Sequence, residues 1–444
     1  MVKLLATPRL NGLFPLYGFI SLMVLATHAL SYKFSDIGSS NPYPGVWFLL
    51  VSYHVLVLLP VYLWARYMGP RNKDSIHRLM EASWSLMLPL TVISIVGLTA
   101  HWYAKLSFLP ETGYECLSLV RTNWLNHDRE LLSTPVRVAS MFGHSLSSFI
   151  FPGLFISAYH SVLKKRALFF LGFFALAGVA YALPIVSRTI LLSLVIMGFM
   201  GGVLAIYSSQ TRVFQKALRF GLIIGGIVLA AFLLSKAVFD NTLACGDGNG
   251  QIQNVSITRA SVVKYEKGFL DELPVQHLAP EKAQEKVLNA CPSCNMVFLY
   301  LNHGIFNFES ILASGQRGTP IMLASVRYWL TRLGFDLAEE PPVRVYGRGG
   351  LTLPGAAWHD WGPMGMIVVA LLHGGIAVIS AFLFTRGLLS AAFGLVLFVI
   401  PGLLSAFSLL FPATSTIGFP FIVFSMFVTS LMALAVAVKR RAIS

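Results

Sequence analysis

Charge is what this chain has least of. Of its 444 residues only 12% are Asp, Glu, Lys or Arg, whereas 56% are hydrophobic. A typical soluble domain is about 25% charged, so a water-soluble fold is excluded and a polytopic membrane protein follows. Acidic residues are the scarcest part: 19 of them face 33 basic ones, which leaves a net charge of +14. Nucleotide signatures are missing as well. No glycine loop with its phosphate-binding lysine occurs, and no strand-borne dinucleotide fingerprint. Internal repeats and low-complexity tracts are also missing. An enzyme of this composition takes a substrate that arrives through the membrane or from outside, already activated.

Long apolar runs are abundant. Ten stretches reach the length of about 20 residues that a spanning helix needs, at 11–31, 45–65, 82–104, 138–163, 167–186, 189–208, 220–238, 363–385, 388–411 and 418–438. The first follows Lys3 and Arg9 as a signal peptide would, but it has no clean small-residue cleavage site and reads as a retained helix. The expected fold class is therefore all-α and polytopic: residues 1–238 carry seven transmembrane helices, 239–362 form a large outer loop, and 363–444 carry three more.

The basic residues divide by side. Lys3, Arg9, Arg66, Arg71, Lys73, Arg78, Lys164, Lys165, Arg166, Arg212, Lys216, Arg219, Arg386, Lys439, Arg440 and Arg441 all fall on one side of the alternation, with only Asp74 and Glu81 against them. The positive-inside rule makes that side cytoplasmic and puts both termini there. Loop anchoring accounts for the excess of positive charge, so nucleic acid is set aside as a partner and the lipid bilayer takes its place. The segment 239–362 holds ten basic and 12 acidic residues and is close to neutral.

Cys116, Cys245, Cys291 and Cys294 all fall on the outer side, where disulfides persist. Their connectivity stays open: the "CPSC" pair would close on itself or reach Cys245 and Cys116. A zinc site is disfavoured, because no histidine stands nearby at ligand spacing. Within the loop, "DNTLACGDGNGQIQNVS" reads as irregular and "HLAPEKAQEKVLNA" as a short surface helix. The stretch from "MVFLYLNHGIFNFESILASGQRG" through "TPIMLASVRYWLTRLGF", with Arg327 and Arg332, reads as helices on or dipping into the membrane surface.

Arg188 stands alone between two apolar runs. A charge in the bilayer core costs roughly 3 kcal/mol on insertion scales. One account is a snorkelling anchor at a tight turn. The other is a grip on an anion at headgroup depth, where a guanidinium makes two parallel charge-assisted bonds to a phosphate. Pro184, four residues earlier, distorts the preceding helix end and favours the second account.

Three stretches carry a family resemblance. "SRTILLSLVIMG" at 187–198 resembles the SRxxLLxL stretch of the O-antigen ligase and polymerase superfamily, and "YLNHGIFNF" at 300–308 and "TLPGAAWHDWGPMG" at 352–365 resemble outer-loop patterns of Wzy-type repeat-unit polymerases. The order of spans around a large late loop is similar too. Arg344 precedes Gly355 with ten residues between, like the arginine-to-glycine spacing of those polymerases; Arg188 departs from it, with Phe199 at the corresponding place and Gly198 one earlier.

The resemblance implies a GT-C-like membrane glycosyltransferase of the bacterial inner membrane with its large loop periplasmic. The donor would be a polyprenyl-pyrophosphate-linked glycan, undecaprenyl in the bacterial case. The acceptor hydroxyl would belong to a second lipid-linked repeat unit and attack the anomeric carbon with inversion. No cofactor is implied, because arginines stand in place of a metal ion, and a Wzz-type chain-length regulator is the implied protein partner.

Arg188, Arg317, Arg344 and Arg348 are the candidate pyrophosphate or glycan contacts. Gly349, among the glycines flanking Arg348, would let backbone amides approach an oxyanion, although a glycine cluster is first a turn. For the base, His303 in "YLNHG" and His359 in "WHDW" compete, with Glu309 as the carboxylate alternative. Asp360 is not expected to orient His359 merely by adjacency, since neighbouring side chains diverge. Histidines 28, 54, 144, 160 and 373 lie within spans, where a buried interhelical hydrogen bond is expected. Two rivals remain: the O-antigen ligase, whose outer loop would hold a denser histidine cluster, and a lipid-linked oligosaccharide transporter, which would show paired hydropathy repeats.

Overall fold

The computed structural model describes residues 13–34, 45–67, 74–107, 134–164, 166–185, 188–208, 292–315, 322, 351–409 and 418–443. Every regular element among them is helical. In chain order these are α1 (Leu13–Phe34), α2 (Gly45–Tyr67), α3 (Asp74–Ser83), α4 (Met87–Leu106), α5 (Thr134–Ser147), α6 (Ile150–Leu163), α7 (Ala167–Ala182), α8 (Arg188–Ser208), α9 (Pro292–Ser314), α10 (Leu353–Leu383), α11 (Leu388–Phe407) and α12 (Gly418–Ile443). Short 3-10 turns at Trp84–Leu86 and Leu183–Ile185 join α3 to α4 and close α7.

Among the described residues six helical stretches are long and apolar enough to cross a membrane: Gly45–Tyr67, Ser75–Leu106, Val138–Leu163, Leu353–Leu383, Leu388–Phe407 and Gly418–Ala442. Shorter apolar helices cover Tyr17–Tyr32, Ala167–Ala182 and Thr189–Ala205. The chain is thus an all-helical polytopic membrane protein among its described residues. The stretch expected to span at 220–238 lies outside them.

Lipid tails are as apolar as leucine, so helices in a bilayer associate through close packing and interhelical hydrogen bonds rather than by escaping water. Both show in the two compact units of the chain. The first unit comprises Met1–Gly69, Ser256–Val378 and Ile400–Phe419. Its core joins Val46 and Leu50 of α2 to Ile305, Phe308 and Ile311 of α9 and Ala356 of α10. α9 is the apolar stretch of the expected outer loop, and it is buried against α1 and α2 from Asn302 to Ile311.

The start of α10 is tightly specified. Thr352 accepts the Gly355 N–H on its hydroxyl at 2.9 Å, an N-cap bond, and the Leu353 N–H is taken by the Ser408 carbonyl at 2.6 Å. Ten residues into the helix the backbone breaks at Gly362, with φ 71° and ψ −163°. A side chain would be strained there, and Pro363 supplies no N–H to bridge the gap. The break divides a short segment ending in His359, Asp360 and Trp361 from the long apolar segment that begins at Pro363.

The second unit comprises Pro70–Val255, Ile379–Val399 and Pro420–Ser444. α6 runs through its middle, buried at every position from Ile150 to Val162. α4 and α5 pack backbone to backbone. A Cβ at Gly97 would overlap the Ser147 backbone nitrogen, and one at Gly143 would stand 2.6 Å from the His101 Cα. The Trp102 indole N–H donates to the Ala180 carbonyl at 2.9 Å and ties α4 to α7. Lys164 pairs with Glu81 at 3.0 Å, and Arg440 donates to the Glu81 carbonyl at 3.4 Å. These are three residues that the charge alternation assigns to one side.

Candidate functional site

The three candidate acid–base residues all belong to the first unit. His303 and Glu309 lie on α9, and His359 lies on the short segment of α10. Phe308 and Trp358, each adjacent in sequence to one of the candidates, meet edge to face with centroids 6.3 Å apart.

His359 and Asp360 form a hydrogen-bonded pair at 2.9 Å between Nδ1 and Oδ1, with side chains 1% and 0% exposed. Here the expectation from adjacency fails. Successive helical side chains do diverge, but the second carboxylate oxygen, Oδ2, accepts the Met322 backbone N–H at 3.0 Å, and this fixes the carboxylate with Oδ1 beside the ring. A carboxylate only accepts, so Nδ1 carries the hydrogen and Nε2 keeps its lone pair. That Nε2 is buried without a hydrogen-bond partner among the described residues. A carboxylate behind an imidazole sets its tautomer and stabilises the imidazolium that forms when it takes a proton.

Glu309 is 6% exposed, and its Oε1 accepts a hydrogen bond from the Tyr32 hydroxyl at 3.3 Å. Oε2 has no partner. Burial pushes the carboxyl up to about 7, with the Tyr32 bond pulling in the other direction. Glu309 therefore exchanges a proton near neutrality. Around it α9 is pinned to α1 by polar contacts: Asn302 Nδ2 donates to the Ser31 hydroxyl at 3.0 Å, Ser31 donates to the His28 carbonyl at 3.0 Å, and His28 bonds the Leu301 carbonyl. His303 is buried on the same helix, in the electrostatic field of His28.

A second polar layer in the unit differs in kind. Tyr53 reaches His373 Nδ1 at 3.0 Å, while His373 Nε2 lies 3.0 Å from both the Pro401 carbonyl and the Ser405 hydroxyl. A carbonyl accepts only, so Nε2 carries the hydrogen and Tyr53 donates to Nδ1. Ser408 gives its hydrogen to the Ser405 carbonyl at 2.7 Å, hence His54 Nε2 donates to Ser408 at 3.3 Å and Nδ1 accepts from Ser21 at 3.1 Å. Both rings are satisfied at both nitrogens and terminate on carbonyls, which suits a clamp between helices and not a group that reacts. Open nitrogen and oxygen positions set the His359 and Glu309 layer apart.

No family model, no curated protein and no solved structure matches this chain. The candidate site therefore stands on its own geometry.

Of the remaining candidates, Arg188 opens α8 in the second unit, and its side chain is not among those described. Arg317, Arg344, Arg348 and Gly349 lie outside the described residues, as do Cys116, Cys245 and Cys291; Cys294 lies on α9 with its side chain not described. Among the described residues no group of three or more His, Cys, Asp or Glu is arranged to hold a metal ion. Sequence reasoning missed Asp360, Tyr32 and Asn302. Asp360 carried a signal in its position after His359, whereas Tyr32 and Glu309 are 277 residues apart and nothing in the sequence joins them.

Proposed function

We propose that this chain is a membrane glycosyltransferase that polymerises lipid-linked oligosaccharide repeat units, with His359 as the base for the acceptor hydroxyl. The observation that carries the reading is the His359–Asp360 pair, with its carboxylate fixed by Met322 N–H and its Nε2 open. Nε2 takes the hydroxyl proton as the oxygen bonds to the donor anomeric carbon. The bond from that carbon to the pyrophosphate oxygen breaks, and the pyrophosphate leaves with the electron pair. Asp360 stabilises the resulting imidazolium. Arg188, Arg317, Arg344 and Arg348 are proposed to neutralise the departing charge. Glu309 is the second acid–base group, titrating near neutrality beside Tyr32.

The test is the length distribution of surface polysaccharide in a deletion strain complemented with each variant at matched expression. His359→Gln is expected to leave single repeat units only. Full-length chains from His359→Gln would overturn the assignment of the base. The break in α10 at Gly362 favours one other reading, a lipid-linked oligosaccharide transporter, because interrupted helices surround transport sites. Loss of every chain, single units included, would support it.

A further inference from the structure

The second unit brings basic residues from three remote parts of the chain to one place. α3 is amphipathic: Ile76, Leu79 and Met80 are buried, while His77 and Arg78 are exposed. Three contacts fix it to α6 and to the residue that follows α6. His77 Nδ1 shares a 3.3 Å hydrogen bond with the Tyr159 hydroxyl, His160 Nε2 donates to the Met80 carbonyl at 2.9 Å, and Lys164 pairs with Glu81 at 3.0 Å. Arg440 of α12 reaches the same glutamate, donating to its carbonyl at 3.4 Å. Arg78 stands three positions before Glu81, a neighbour on one helix face. Arg78, Lys164 and Arg440 thus gather around Glu81, the one carboxylate among the described side chains of this unit; the side chain of Asp74, which opens α3, is not among them.

Depth and surroundings suit a lipid. α4 has 20 residues, enough to span the hydrocarbon by itself, so α3 stands beyond it at the level of the headgroups. Lys164 follows the last residue of α6, and Arg440 lies in the last turn of α12. An apolar surface adjoins Lys164 and α3. Trp84, next after α3, meets Phe170 of α7 edge to face at 5.6 Å, and Phe170 meets Phe169 at 5.6 Å. Phe169 is 76% exposed, and Leu88, one turn on from Trp84, is 68% exposed. A basic cluster at helix ends beside an exposed apolar face is complementary to a molecule that joins an anionic phosphate to acyl chains.

We propose that Arg78, Lys164 and Arg440 form a binding site for an anionic phospholipid, with its phosphate on the three cations and its chains against Phe169 and Leu88. Glu81 holds Lys164 in place and competes with the phosphate for it. The charge alternation puts this lipid in the cytoplasmic leaflet. The site is independent of His359 and of the polymerase reading, since it is built wholly within the second unit.

Delipidated full-length protein in neutral detergent is titrated with phosphatidylglycerol and with phosphatidylcholine, and the bound lipid is counted by native mass spectrometry. Phosphatidylglycerol should bind first and more tightly; equal binding of the two lipids by wild type ends the proposal. Arg78→Gln, Lys164→Gln and Arg440→Gln, all at exposed positions, should each weaken phosphatidylglycerol binding about fivefold, the effect of one basic residue at an anionic lipid surface. Glu81→Gln should strengthen it, because Lys164 is released to the phosphate. An ion pair of structural value alone predicts loss from Glu81→Gln as well as from Lys164→Gln, and that pattern overturns the site. Arg66→Gln removes an exposed arginine of the first unit that bonds the Tyr62 hydroxyl, and it should change nothing. A loss equal to that from Arg78→Gln would make the binding a general response to basic charge and overturn the site likewise. Glycerol 3-phosphate should not compete with the lipid, and full competition would give the site to a soluble phosphate and refute the assignment to a lipid.

Discussion

His359 shows how little of a residue's chemistry lies in its own identity. Its proposed role as a base rests on Asp360 Oδ1 at 2.9 Å and on Met322, whose N–H fixes the other carboxylate oxygen. Asp360→Asn should therefore lower the rate by about a hundredfold or more while the protein stays folded, because the amide no longer enforces the tautomer that leaves Nε2 open. Single-turnover transfer between purified lipid-linked donor and acceptor measures it, and an unchanged rate would reduce Asp360 to a packing role. Glu309 bears a pH dependence of stability. Its carboxyl ordinarily titrates at 4.5 and is pushed up to about 7 in the fold. The folded state then holds the proton more tightly, so stability is greatest below the ordinary value, falls as pH rises through the interval, and is flat above about 7. Glu309→Gln should remove that slope, on the order of 3 kcal/mol in wild type. Thermal unfolding in detergent from about pH 4 to pH 8 reads it directly, and an identical slope in the variant would assign it elsewhere.

At the scale of elements, the span expected from 363 begins earlier: the helix starts at Leu353, with Gly355 N–H on the Thr352 hydroxyl at 2.9 Å as its cap. Thr352→Ala should cost about 1 kcal/mol, and Thr352→Ser should restore most of it, as the melting temperatures of the two variants will show. The break at Gly362 was less legible. A Gly-Pro pair marks an interruption but not whether the chain turns away or resumes as a helix, and here it resumes at once. With φ at 71°, Gly362→Ala should destabilise by roughly 1 to 2 kcal/mol. It should also disturb His359, three residues before the break, so activity should fall further than stability alone explains. α9 shows the converse. Its apolar residues were read as a helix on or dipping into the membrane surface; what they did not reveal is that Asn302 and Glu309 reach Ser31 and Tyr32 and seat it against α1.

For the whole molecule, the one-sided distribution of basic residues predicts a topology. An exported reporter fused at Ala260 or Tyr300 should be active and one fused at Asp74 or Gln215 inactive, and the reverse pattern would overturn both the sidedness and the proposed location of the chemistry. That the chain is helical and polytopic was legible because a bilayer imposes a length on any helix that crosses it, and that length is a local property of the chain; of the ten stretches expected to span, six among the described residues form helices long and apolar enough to do so. His303, Glu309 and His359 were legible as candidates for a similar reason: acid–base chemistry near neutrality draws on few side chains, and few such side chains are present. The partnerships were not legible. Whether a buried histidine is a clamp like His54 and His373, or an open group like His359, depends on what stands opposite each ring nitrogen. Those partners come from helices remote in sequence, as Ser408 does for His54, 354 residues away. Only tertiary structure could decide this, because a hydrogen bond is settled within about 3 Å and the sequence carries no record of which distant helix will supply the other atom.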